Sequence, residues 1–380
     1  MVRSKATVMS LEKNVQRLVE HGVTLLNPAS VYVADDVDPA RIAAGVVVHP
    51  GCRLRGAETS IGPGCELGRE APVTVENVQI GARVRLHGGT FREATLLDDV
   101  EFGPGAHVRP GTLMEEQASC AHTVGLKQTI LMPFVIVGSL VNFCDVLMAG
   151  GTSRDHHSEV GSSFVHFNYT PHRDKATASL VGDVPRGVLL NRRPIFLGGQ
   201  GGLVGPVCIE YGTVLAAGSI GRDDVTASGT LVSGRRPLEG AVTYDPTRYG
   251  DIRRVVRNNL AYIGNVTALR EWYRTVRTPI MGRTEHGRHG AAGGVKRLTQ
   301  VLAERMDRLG QLADRLGASL REGPGESAAR VDAAGAAFQA SFRSEWPSLR
   351  ARLESLRAED CGAEEKAAAV EALAACGDAG

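Results

Sequence analysis

The sequence predicts a mainly β protein, a parallel β-helix of hexapeptide repeats followed by a C-terminal α-helical extension. Three observations carry this. An aliphatic residue followed by glycine or another small residue recurs every six positions. Glycine is abundant, at 46 of 380 residues, whereas aromatic residues make up only 5%. Helical periodicity replaces the six-residue rhythm after about residue 236. Residues six apart fall on different faces of an α-helix. A strand-and-turn unit of the same length keeps each aliphatic inside and each glycine at a tight corner, and such units stack into a solenoid.

The elements follow in order. Residues 1–22 read as a linker helix, with Leu11, Val15, Leu18 and Val19 on one side and Gly22 as its stop, placed to cap the first coil. Residues 23–236 read as the β-helix. Its rhythm is visible in "IGPGCELG", "IGARVRLHGGTF", "LLDDVEFGPGAHVRPGTL" and "LVGPVCIEYGTVLAAGSI", which predict Ile61, Leu67, Ile80, Leu86, Phe102, Val108, Leu203, Ile209 and Leu215 as inward positions. Two stretches break the register, "REAPVTVENVQ" and "MAGGTSRDHHSEVG", and both are expected to leave as loops, where binding groups accumulate. Residues 237–283 form a helical segment with Ile252, Val256, Leu260, Ile263 and Tyr273 on its apolar side and arginines on the other. "EHGRHGAAGG" reads as a flexible linker. Residues 284–380 read as a helical hairpin or coiled-coil tail, separable from the solenoid, with Leu302, Met306, Leu309, Leu316 and Leu320 in a heptad-like stripe.

The formal charge of +1, from 43 basic and 42 acidic residues, provides no overall field for nucleic acid or an anionic membrane, so any anion site must be local. Seven cysteines, odd in number and without ligand spacing, indicate neither a disulfide framework nor a zinc knuckle. They fit a reducing compartment. With no signal-like stretch and no run of membrane-spanning length, the expected location is the cytoplasm.

From about residue 17 to residue 222 the chain resembles the C-terminal half of the bifunctional enzymes that acetylate glucosamine 1-phosphate and then uridylylate the product. The resemblance rests on "RLVEHGVTLLNPASVYVADDVD", "FGPGAHVRPGTL", an ungapped run from Phe102 to Asp145, and "LAAGS". It implies a left-handed β-helix, a homotrimer with sites between subunits, and a relation to UDP-N-acetylglucosamine biosynthesis. The chain starts at the linker helix, so uridyl transfer is not expected of it.

The resemblance also assigns site residues. Arg109 of "RPG" and Lys127 one coil on match the phosphate-binding cations. The chemistry is sound by itself, because two cations on a rigid wall bind a phosphate at little ordering cost. Asn168, Tyr169 and Lys175 in "FNYTPHRDK" match groups that orient the sugar and add charge from a neighbouring subunit, with Arg173 an alternative to Lys175. Gly199, Ala217 and Arg235 match positions that meet acetyl-coenzyme A. Where the family has a catalytic histidine followed three residues later by tyrosine, this chain has Ser139 and Asn142. Asn142 is kept as a substrate-binding residue, but Ser139 cannot accept an amine proton near neutrality. His166, His156 and His157 are the expected substitute bases, and Asp145 survives without its partner.

The implied function is an acyltransferase acting on an amino sugar phosphate or nucleotide sugar. The alternative is a non-catalytic sugar-phosphate or nucleotide-sugar binding protein that kept the pocket. A third reading places zinc between subunits on His157, His166 and His172, but their spacing matches no ligand signature and no metal site is assigned.

Overall fold

The computed structural model describes residues 5–234, 245–246, 248–319 and 331–357. Residues Thr24 to Val232 wind into a three-sided parallel solenoid. The first face is an 11-stranded sheet running from Thr24–Leu25 to Leu231–Val232. The second and third faces are joined in one 16-stranded sheet, because Gly125–Leu131 and Asn142–Met148 bend round the corner between them.

Register is uniform from coil to coil. On the first face Glu66, Arg85, Glu101 and Ser119 stack outward, while Leu67, Leu86, Phe102 and Cys120 stack inward. Alternation of this kind follows from the strand period of two. All nine inward positions predicted from the hexads are buried, so the expected β-helix with its helical extension is the observed fold. The corners turn through left-handed backbone, at Gly64, Arg83, Asp99, Gln117 and Phe134 on one edge and at Glu93, Gly111, Gln128 and Asp145 on another. Only two of these nine, Gly64 and Gly111, are glycine. The non-glycine corners Arg83, Asp99, Gln117, Phe134, Glu93 and Gln128 each gain an inter-coil hydrogen bond, as in Asp99 N to Ala82 O at 2.9 Å and Gln117 N to Asp98 O at 3.0 Å. These bonds offset the roughly 1–2 kcal/mol that the left-handed region costs a residue with a Cβ.

One expected loop is corrected. "REAPVTVENVQ" contains the strand Val73–Glu76 on the second face, and Val73, Val75 and Val78 are fully buried. The other, residues 149–158, does leave the solenoid, between the third face and the next strand of the first.

The helices are α1 (Lys5–Glu20), α2 (Val184–Gly187), α3 (Arg253–Trp272), α4 (Thr278–Met281), α5 (Glu285–Ser319) and α6 (Ala333–Arg357), with a π turn, Tyr273–Arg277, between α3 and α4. In α1, Leu18 is buried against the first coils and Gly22 follows the helix at φ 87°. The side chain of Leu11 lies outside the described residues, as does Leu320.

Helices α3 and α5 lie along the third face. Helix α3 meets Ser179–Val181, and α5 crosses Ser60–Ile61, Gln79–Ile80, Ala94–Leu96 and Thr112–Met114. The outward row of that face runs Ser60, Gln79, Thr95, Leu113, Ile130, Leu147, Leu180, so it changes from polar to aliphatic along the axis. The helices cover all of it.

The expected linker "EHGRHGAAGG" is instead the first turns of α5, and the reason is close packing. A Cβ on Gly293 would stand 2.6 Å from Gln79 Oε1 and Thr95 Oγ1, and one on Gly294 would stand 2.2 Å from the Tyr273 ring. Glycine is there to admit neighbours, not to loosen the chain. The tail expected to be separable is likewise pinned to the solenoid over its described part. Arg297 donates to Glu93 O at 2.9 Å and Lys296 pairs with Glu58, and in the preceding helical segment Arg277 bridges Glu115 and Glu116. Arginines predicted for a solvent-facing side are partly interior, and Arg270, Arg297 and Arg305 are among the largest fully buried side chains.

Candidate functional site

The second face carries the site. Its central outward row runs His107, Gly125, Asn142, Val165 on successive coils. Gly125 has no side chain, so the row has a gap between exposed His107 and exposed Asn142. A Cβ placed there would meet only Asn142 Oδ1, at 3.3 Å.

At the edge of this face that adjoins the third, Lys127 stands beside Cys144, and Arg109 occupies the preceding coil. Arg109 Nη2 donates to Cys144 Sγ at 3.2 Å. Burial pushes the Cys144 thiol up, and the charges of Arg109 and Lys127 pull it back in part. Both cations are half-buried, yet among the described residues neither has a carboxylate within ion-pair distance. Cations withdrawn from water are normally paired; the carboxylates that feel the Lys127 charge, Asp145 and Glu304, are themselves engaged by Arg305 and Arg308, which leaves this edge room for an anion.

Directly behind lies Asp145, 4% exposed, whose Oδ1 is 2.9 Å from Arg305 Nη2 of α5. Burial raises its carboxyl, and the Arg305 charge, then that of Lys127, opposes the rise. Asp145 therefore belongs to the junction with α5 and does not face the gap at Gly125.

The other edge, adjoining the first face, is a column of short turns: His122, Ser139, Ser162, Gly199, Ala217. Backbone bonds tie it together, Leu140 N to His122 O at 3.1 Å, Ser163 N to Ser139 O at 2.8 Å, Gln200 N to Ser162 O at 2.8 Å and Gly218 N to Gly199 O at 2.9 Å. A Cβ on Gly199 would press on Ser162 O at 2.9 Å, and Ala217 is exposed. Two of the three residues expected to meet the acyl donor, Gly199 and Ala217, thus share a corner with Ser139. That corner also holds a residue the sequence reasoning missed, His122, whose Nδ1 is 2.8 Å from Ser139 Oγ. Its only sequence signal is a separation of 17 residues, one coil.

The expected segment Asn168, Tyr169, Lys175, with Arg173, forms the turn between the second and third faces above Lys127. The helical layer frames it. Arg305 Nη1 donates to Lys175 O at 3.3 Å, Tyr249 OH to Asp174 Oδ2 at 2.5 Å, Asn259 Nδ2 to Ala176 O at 2.9 Å, and Arg315 to His172 O. The side chains of Tyr169 and Lys175 remain exposed.

The expected substitute bases are placed elsewhere in the protomer. His166 takes an inward position beside Leu203, where Nε2 contacts Ser179 Oγ at 2.7 Å. Burial pushes it down to about 4, so it is a neutral core residue with no path to a substrate amine. His156 and His157 sit on the loop 149–158, at the corner between the third and first faces. His157 Nδ1 contacts Arg154 O at 2.7 Å. His157, His166 and His172 do not converge, and among the described residues no three His, Cys, Asp or Glu groups could hold a metal. Arg235 lies outside the described residues.

Fold and face together define a class, the hexapeptide-repeat parallel β-helix proteins. Within it, the chain is 31% identical over 221 residues to the bifunctional protein GlmU of Trichlorobacter lovleyi, 58% of this chain and 43% of that protein. It is 27% identical over 230 residues to the bifunctional protein GlmU of Thermotoga petrophila, 59% of this chain and 46% of the relative. Similarity to GlmU proteins thus covers more than half of the chain, and the chain spans less than half the length of these relatives. No family model matches the chain. A solved structure of LpxA from Acinetobacter baumannii aligns over 73% of this chain and 95% of its own, with a TM-score of 0.18 and 11% identity.

Proposed function

We propose that the chain is an acyltransferase-like protein that binds an amino sugar phosphate, or a nucleotide-linked amino sugar, on its second face and takes its acyl group from acetyl-coenzyme A. The observation that carries this is the pair Arg109 and Lys127, half-buried, one coil apart and without a carboxylate partner among the described residues. A phosphate supplies the missing charge. The gap at Gly125 is the place for a sugar ring, Asn142 offers it an amide, and the small residues at Gly199 and Ala217 let an acyl donor lie against the backbone.

Assembly as a homotrimer in the cytoplasm accompanies this reading, with Lys175 and Tyr169 reaching a neighbouring subunit. It is supported by the outward ladder Phe196, Val214, Leu231 on the first face, 39%, 39% and 72% exposed. Apolar surface in a contiguous row asks for cover.

The test is calorimetry with glucosamine 1-phosphate against glucosamine. The phosphorylated sugar should bind and the free sugar should not, and Arg109→Ala or Lys127→Ala should each weaken binding about tenfold or more. Equal affinity for the two sugars refutes the reading. A second reading, a binding protein without catalysis, is favoured by Ser139 in place of a base. Free thiol released from acetyl-coenzyme A in the presence of the amino sugar decides between them.

A further inference from the structure

Resting on the acyl-transfer reading, we propose that His122, oriented by Ser139, is the general base that takes the proton from the attacking amine. Four observations support it. First, Ser139 Oγ lies 2.8 Å from His122 Nδ1, and the two turns are fixed to each other and to the next by Leu140 N to His122 O at 3.1 Å and Ser139 N to Ser162 Oγ at 3.2 Å. When one ring nitrogen is engaged, the partner sets which nitrogen carries the proton. A serine hydroxyl can accept from Nδ1–H, and this leaves the lone pair on Nε2.

Second, His122 is exposed, and among the described residues Nε2 has no partner. Third, His122 stands at the corner that carries Gly199 and Ala217, so a thioester held along that column arrives on its side of the face. Fourth, Lys127 is five positions further along the same coil, past the corner at Thr123, so His122 and Lys127 flank Gly125 from opposite edges of the second face.

The charged and titratable groups on the coils around the gap are His107, Arg109, Lys127 and Cys144, with Arg53, Arg55, Glu76 and Arg92 on earlier coils of the same face, and no carboxylate among the described residues lies within ion-pair distance of His122. His107 is the rival base, since it is exposed at the centre of the same face. It has no orienting partner among the described residues.

The step balances as follows. The amine nitrogen forms a bond to the thioester carbonyl carbon, and its proton passes to His122 Nε2. The carbon–sulfur bond then breaks, and the imidazolium returns the proton to the departing thiolate, so His122 ends neutral. Ser139 touches neither reactant and is a positioning residue.

The experiment uses the full chain and follows thiol release from acetyl-coenzyme A with glucosamine 1-phosphate across pH, beside calorimetry for the sugar phosphate. His122→Ala should lower the rate roughly a hundredfold or more and abolish the acid limb of the pH profile, with sugar-phosphate affinity unchanged. Ser139→Ala should lower kcat by less, about tenfold, and keep that limb. Retained sugar-phosphate binding certifies that each variant is folded. Added imidazole should restore part of the rate to His122→Gly. If wild type is active and His122→Ala keeps its rate, or His107→Ala takes the large loss instead, the assignment to His122 is overturned while the acyl-transfer reading stands. If wild type releases no thiol, both fall together.

Discussion

Removing Arg305 should loosen the helical layer from the solenoid, and the cost can be worked from its surroundings. Arg305 is 1% exposed and its partner Asp145 is 4% exposed, 2.9 Å away. Arg305→Ala deletes the charge, the packing of its stem and the bond to Lys175 O, and leaves Asp145 buried with no paired counter-ion, only the weaker influence of Lys127 and Arg308. Breaking a buried pair from one side typically costs about 3–5 kcal/mol. The pH dependence has a definite sign. Burial already raises the Asp145 carboxyl and Arg305 opposes that rise, so the variant's carboxyl lies higher still. A folded-state carboxyl above its unfolded value costs its full amount of stability above the folded pKa, and that cost shrinks as the pH falls from the folded to the unfolded value and is gone below it. The loss should therefore be largest at neutral pH and shrink in acid. Urea unfolding followed by circular dichroism at pH 7.5 and pH 5 measures it, and limited proteolysis reports whether α5 lifts first. Arg305→Met combined with Asp145→Leu, which removes both charges, should recover most of the loss. A single variant within about 1 kcal/mol of wild type at neutral pH would refute the view that this pair fastens α5.

Two further outcomes follow from the geometry. His166 is held neutral, pushed from 6.5 to about 4, so the unfolded chain takes up a proton that the folded one refuses as pH falls through that window. Wild type should lose on the order of 3 kcal/mol there. His166→Leu should remove that part of the slope in a stability-against-pH series and leave thiol release intact; a slope unchanged by the substitution would mean His166 is not held neutral. Gly125→Leu should leave the fold intact, because its Cβ meets only Asn142 Oδ1 at 3.3 Å. By filling the gap it should weaken sugar-phosphate binding by about tenfold or more, roughly 1.4 kcal/mol, and unchanged affinity in calorimetry would place the sugar elsewhere.

The solenoid was readable because its interior repeats: within a coil, Ile80 and Leu86, Phe102 and Val108, and Leu203, Ile209 and Leu215 stand six residues apart and are all buried. Corners were harder. Arg83, Asp99, Gln117 and Phe134 turn in the left-handed region without being glycine, since an inter-coil hydrogen bond supplies what glycine would otherwise supply through freedom. The glycines of "EHGRHGAAGG" misled in the opposite sense, because in a helix pressed on a sheet they mark contact, as Gly293 does against Gln79 and Thr95.

For the proposed site, the sequence expectation that Arg109 and Lys127 stand one coil apart matches their places on adjoining coils. The same reasoning misjudged His166, where strand parity decides everything: one position earlier or later the ring would face solvent, but at 166 it stacks beside Leu203. His122 and Ser139 meet only across a coil, and coil lengths vary enough that hexad spacing alone does not pair them. The role of Asp145 was invisible for another reason, since its partner is 160 residues away on a helix that no repeat announces.

The most direct test of the account is a crystal structure of the protein with glucosamine 1-phosphate and a non-reactive acetyl-coenzyme A analogue. The account predicts the phosphate between Arg109 and Lys127, the sugar over Gly125, its amine toward His122 Nε2, and the analogue along Ser162, Gly199 and Ala217. A ligand bound away from the second face, or that face empty at saturating concentration, would contradict it.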